Sequence, residues 1–141
     1  MMLLGRILLT IALLSTLFGP ISADWNHTHV FNASWPPHAR FHSAAGLFVT
    51  IGFSLIGLWL LWRKSQDFLP QLLVATAVPV LAWGTFFLAV LVPGAGVEDH
   101  PGSLPRVVGL PLNVFVALVF SALAITGYMV CRRAYSKETG R

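Results

Sequence analysis

The sequence predicts an all-α integral membrane protein: a four-helix bundle with short loops and both termini on the cytoplasmic side. Three observations carry that expectation. Hydrophobic residues make up 56% of the 141 residues against 10% charged, with a mean hydropathy of +0.76. A soluble fold of this size needs far more charge to cover its surface. The chain also contains four long apolar runs, and its basic residues fall at alternate ends of them.

The expected helices cover 3–21, 36–62, 69–92 and 107–131 in one transmembrane domain, 1–141. Each run approaches or exceeds the ~20 residues needed to cross a hydrocarbon core. Only helices satisfy their backbone groups there without closing a barrel. The first run carries Arg6 and is interrupted late by Gly19-Pro20. It also reads as a leader ending at the small residue Ala23, but its length favours a retained helix.

The second helix has a legible start, with Ser34 as cap and Pro36-Pro37 in a first turn. The third contains Pro79, whose freed carbonyl Thr76 or Thr85 can serve. The fourth carries a stripe of small and polar residues, Asn113, Ala117, Ser121 and Ala124, expected to face the bundle interior. The tail "SKETGR" reads as a short frayed end.

Arg6, Arg63, Lys64, Arg132, Arg133, Lys137 and Arg141 belong to the termini and the middle loop. Only Arg40, at the start of the second helix, and Arg106 belong to the other end, with the loops 22–35 and 93–106. The positive-inside rule therefore places those two loops on the periplasmic, extracellular or lumenal side. Trp25 and Trp35 suit that interface, Trp59 and Trp62 the opposite one. The sequence pI near 10.0 does not mark a nucleic-acid binder, because the basic residues form no patch. The lone Cys131 allows no internal disulfide.

All five histidines fall on the outward side, four of them within "DWNHTHVFNASWPPHARFH", residues 24–42. His38 and His42 stand one helical turn apart, a spacing that lets two imidazoles reach one ion. With His29 and Asp24, or an acid from "EDH" at 98–100, they make a candidate nitrogen and oxygen set for zinc or non-haem iron. Continuing the His38–His42 face through Ala45, Gly46 and Val49 predicts imidazoles turned toward the bundle mouth.

A second use of the same end needs no metal. A neutral histidine acts as acid or base, Arg40 binds an anionic head group, and the bundle holds the apolar tail of a lipid or isoprenoid-like molecule. Asn113, Asn26 and Trp35 complete that ligand-binding set. The plain alternative is a non-catalytic scaffold or accessory subunit, in which loop histidines cap helices and Asp24 pairs with Arg40. Asn26-His27-Thr28 and Asn32-Ala33-Ser34 are also glycosylation sequons close to the membrane surface. No Walker loop, G-x-S-x-G, H-E-x-x-H or Cys-x-x-Cys is present, and the sequence names no reaction.

"ADWNHTHVFNASWPPHARFH", residues 23–42, resembles the signature of a family of small four-helix membrane proteins of bacteria and fungi, catalogued as a domain of unknown function. Its pattern, D-W/F-N-x-T-H followed by N-P-x-W-P-P-H-A-R/K-F-H, maps onto Asp24 to His29 and Asn32 to His42. Ala33 stands where the family has proline, and His27 where it often has an acid or small residue. The resemblance implies four helices and points to His29, His38 and His42 as the site set. Some members carry an acetyltransferase label, for which no residue here supplies acyl-CoA binding.

Overall fold

The computed structural model describes residues 1–140 and contains four helices: α1 (Met2–Asp24), α2 (Pro37–Trp62), α3 (Phe68–Ala89) and α4 (Leu112–Thr139). A two-stranded antiparallel hairpin, β1 (Arg106–Val107) and β2 (Leu110–Pro111), lies between α3 and α4. Sequence neighbours α1–α2, α2–α3 and α3–α4 pack side by side, and α1–α4 closes the ring. α1 also touches α3 across the diagonal. One end of the bundle, the terminal end, gathers Met1, the last turn of α4 and the 63–67 turn. The other, the histidine end, carries residues 25–36 and 90–111.

All four helices are long and apolar enough to cross a membrane, and only 22–28% of each apolar window is buried within the bundle. Leucines, valines and phenylalanines such as Leu55, Phe53, Leu73 and Leu81 point outward, whereas Thr16, Ser54 and Thr76 are buried. Water would penalise such an arrangement. In lipid it is the stable one, since buried hydroxyls find partners inside and apolar side chains meet hydrocarbon.

α1 is the polar hub. Trp62 Nε1 of α2 donates to Thr10 Oγ1 (2.9 Å), and Trp83 Nε1 of α3 donates to Ser15 Oγ (3.0 Å). Thr16 Oγ1 meets Ser54 Oγ of α2 at 2.8 Å, both buried. Against α4 the contact is backbone to backbone. A Cβ on Gly5 would lie 2.8 Å from the Gly127 carbonyl, and one on Gly127 would lie 2.9 Å from the Gly5 carbonyl. At the terminal end the Arg6 guanidinium covers the rings of Trp62 (5.7 Å) and Phe68 (5.2 Å), shielding its charge with aromatic faces.

Several helix ends differ from the sequence reading. α1 runs through Gly19-Pro20 to Asp24 rather than stopping at 21. Pro20 removes one amide donor near the helix end, a loss that membrane helices tolerate. α2 begins at Pro37 with Pro36 as cap, and Ser34 makes no capping bond to it. α3 ends at Ala89, with Val90 to Val92 in turns ahead of Pro93-Gly94. α4 begins at Leu112, not 107, because the β-branched pair Val107-Val108 folds into a hairpin around Gly109. It continues past 131 to Thr139 and stops at Gly140 in a left-handed conformation. Residues 136–139 of the tail are therefore helical, not frayed, and Arg141 lies outside the described residues. Thr76 and Thr85 bond to Leu72 and Ala82 carbonyls, so neither serves the carbonyl that Pro79 frees.

Candidate functional site

Two copies of one local turn build the entry to α2. Asn26 Oδ1 accepts the Thr28 amide (2.8 Å) and the Thr28 hydroxyl (2.7 Å). Asn32 Oδ1 accepts the Ser34 amide (3.0 Å) and hydroxyl (2.7 Å) in the same way. Each asparagine then donates its Nδ2 backward, to the Ala23 carbonyl and the Thr28 carbonyl respectively. The Asn-x-Thr and Asn-x-Ser tripeptides are thus turn-formers, their side-chain oxygens replacing a backbone acceptor. That spacing was the available signal.

The first turn fixes the tautomer of His29. The Thr28 hydroxyl spends its only proton on Asn26, so its oxygen accepts from His29 Nδ1 at 2.8 Å. Nε2 is left facing Asp24 Oδ1 at 3.8 Å, a charge contact when that nitrogen is protonated. The Trp35 ring stands edge-on to the imidazole with centroids 5.7 Å apart. Asp24, the last residue of α1, holds this loop by its carbonyl, which accepts from Asn26 (2.9 Å) and Val30 (3.1 Å).

The 90–111 segment is organised by Glu98. Its carboxylate accepts from the amides of Gly102 (3.2 Å) and Leu104 (3.3 Å) and pairs with Arg106 Nη2 at 3.0 Å. Arg106 Nη1 also donates to the Gly109 carbonyl across the hairpin turn. Asn113 Nδ2 donates to the Val97 carbonyl at 2.6 Å, tying the segment to the first turn of α4.

Between this segment, the His29 turn and the helices lies an open cleft of about 610 Å³. Asp24, His29, Glu98, Asp99 and Asn113 line it toward the histidine end. Trp83, Phe86, Leu112 and Val116 supply apolar wall, and Thr16 and Thr50 lie deeper in the bundle. Among the described residues no lysine or arginine lines it.

The sequence-predicted residues separate into four places. Asp24, His29 and Asn113 line the cleft. Asn26 and Trp35 shape the adjoining turn without lining it. His38 and His42 meet Nε2 to Nε2 at 3.0 Å, but both are exposed, as are Gly46 and Val49 below them. That face points away from the bundle, contrary to expectation, because Leu47, Ser54 and Leu61 define the inward side of α2.

Arg40 falls on that inward side, seven residues before Leu47. Its Nε is buried and finds no hydrogen-bond partner, and Asp24 pairs with His29 rather than with Arg40. The acid and histidine set expected to share one ion therefore forms two pairs. Among the described residues no three His, Cys, Asp or Glu side chains are gathered to hold a metal ion. His27 and His100 are exposed. Trp83 and Phe86 are not assigned to the site by the sequence and Glu98 is expected there only as an acid of "EDH", although the interior polarity of α4 is visible through Asn113.

A family model described as "Family of unknown function (DUF6640)" matches residues 8–141. The chain belongs to the DUF6640 family. The match takes in every residue lining the cleft and all five histidines of this DUF6640 chain. No curated protein and no solved structure matches.

Proposed function

We propose that this chain is a multi-pass membrane protein that binds a small amphipathic molecule, lipid or isoprenoid-like, in the cleft at its histidine end. The histidine end faces outward and both termini face the cytoplasm. The orientation rests on the segregation of basic residues to the terminal end. The binding reading rests on one observation: an open cleft with carboxylate, imidazole and amide groups at its mouth and an indole and phenyl wall beside them.

The cleft chemistry selects the head group. Glu98 is engaged by Arg106 and Asp24 faces His29, whereas Asp99 remains available, and among the described residues no lysine or arginine lines the space. An amine or a hydrogen-bond-donating head suits it better than a phosphate. Arg40, which suited an anionic head in the sequence reading, does not line this space. His29, with Nδ1–H fixed by Thr28, offers Nε2 as the proton acceptor toward a bound head.

The experiment uses protein in lipid nanodiscs with Trp25, Trp35, Trp59 and Trp62 replaced by phenylalanine, leaving Trp83 as the reporter. A bromine-labelled single-chain amine is expected to quench Trp83 saturably, and Ala82→Phe, which fills the cleft, should abolish saturation. Quenching that stays linear in both proteins would leave the scaffold reading. Reporter fusions after Lys64 and after Gly102 test orientation, and are expected to report the cytoplasm and the opposite side respectively.

A further inference from the structure

We propose that His38 and His42 form a two-histidine chelate for a late divalent transition metal, Cu(II) before Ni(II) or Zn(II), on the outward face of α2. This site is separate from the amphiphile cleft, whose lining includes neither residue. The observation is the bite. Their Nε2 atoms lie 3.0 Å apart. Two imidazole nitrogens each ~2.0–2.1 Å from one ion are separated by about 2.8–3.0 Å at a right angle, and by about 3.3–3.4 Å at a tetrahedral angle. The pair thus stands at the right-angle end, the cis geometry of a tetragonal nitrogen site, which favours Cu(II) or Ni(II) over tetrahedral zinc.

The rings are held in that relation before any ion arrives. They meet edge to face with centroids 4.4 Å apart and an interplanar angle of 84°. Phe41 stacks nearly parallel to His38 (6.2 Å, 7°) and stands edge-on to His42 (5.5 Å). The helical backbone beneath fixes the one-turn spacing, with Pro36 and Pro37 setting the start of α2. In the metal-free pair one Nε2–H donates to the other Nε2. An incoming ion displaces that proton, which returns to Nδ1 of the same neutral ring, so neutral imidazoles bind without net proton release. Both rings are exposed, which leaves the remaining coordination positions to water. The guanidinium of Arg40 belongs to the opposite side of the helix and does not oppose the ion there.

The test is Cu(II) binding to tag-free protein in nanodiscs, followed by equilibrium dialysis and electron paramagnetic resonance. One equivalent of Cu(II) with hyperfine structure from two imidazole nitrogens is expected. His38→Ala and His42→Ala should each weaken binding by about tenfold or more, as loss of a donor from a chelate requires. His27→Ala, His29→Ala and His100→Ala should leave it unchanged. Circular dichroism checks folding, which exposed side chains are not expected to affect. Absence of stoichiometric binding overturns the proposal, as does full binding by the double variant or loss of binding in His29→Ala. Trp83 quenching by the amine should be the same in His38→Ala as in the parent, which separates this failure from that of the cleft.

Discussion

Gly5 of α1 and Gly127 of α4 face each other so closely that neither position has room for a Cβ. One on Gly127 would sit 2.9 Å from the Gly5 carbonyl and from Leu9 Cγ, and one on Gly5 would sit 2.8 Å from the Gly127 carbonyl. Without a hydrophobic drive between helices in lipid, such backbone approach is how dispersion holds them. Gly127→Leu is therefore expected to cost about 1–3 kcal/mol, by analogy with overpacked cores. Thermal unfolding in detergent, read by circular dichroism, measures it. Gly46→Ala and Gly52→Ala meet nothing within 4 Å and should be neutral or stabilising. Equal loss in all three would mean that the close approach at Gly127 does not set the outcome.

Thr16 and Ser54 provide a second, polar contact between α1 and α2. Each hydroxyl also lies close to a carbonyl of its own helix, Leu13 and Thr50 respectively, so one of the two must release its own carbonyl to bond the other. A double-mutant cycle with Thr16→Val and Ser54→Ala should give a coupling near 0.6 kcal/mol, the usual scale for such bonds in membranes. A coupling indistinguishable from zero would show that both hydroxyls stay with their own helices.

The four helices were legible because a bilayer imposes a length and a composition that a sequence displays directly. Their ends were not. Val107 extended an apolar run, and hydropathy does not distinguish a β-branched hairpin from a first helical turn. Lys137 and Glu138 are helical because α4 continues beyond the apolar zone, where composition ceases to guide. Asn113 was correctly assigned to the interior, since a polar amide in an apolar run has few other places to go. The His38–His42 face was misassigned because Ala45 and Gly46 resemble a packing stripe. Only the burial of Leu47, Ser54 and Leu61 decides which side of α2 is inside.

Val108 adopts φ 51° at the tip of the hairpin and is 89% exposed, with Gly109 following at φ 79°. Two successive positive φ angles make the type I′ pattern, which favours Asn-Gly and penalises a β-branched residue. Val108→Asn should stabilise the 106–111 hairpin by about 1–2 kcal/mol. Slower amide exchange at Val107, Leu110 and Leu112, the amides of the hairpin ladder, is the expected readout, and unchanged exchange would count against a strained tip.

Asn32→Ala removes the acceptor shared by the Ser34 amide and hydroxyl and the donor to the Thr28 carbonyl. A loss of about 1 kcal/mol is expected, as for other local side-chain caps. Asn32→Asp retains the acceptor alone and should lose less. Protection of the Ser34 amide, followed by mass spectrometry, distinguishes the two variants. Equal protection in Ala and Asp forms would show that the oxygen does not hold the turn.

The first turns of α2 send Arg40 inward and the imidazoles of His38 and His42 outward, within five consecutive residues. Saturation mutagenesis of 35–42 should accordingly sort into two complementation groups rather than one. Alleles at alternate codons would behave as lesions in unrelated surfaces, and a recombinant carrying both would show the sum of two defects.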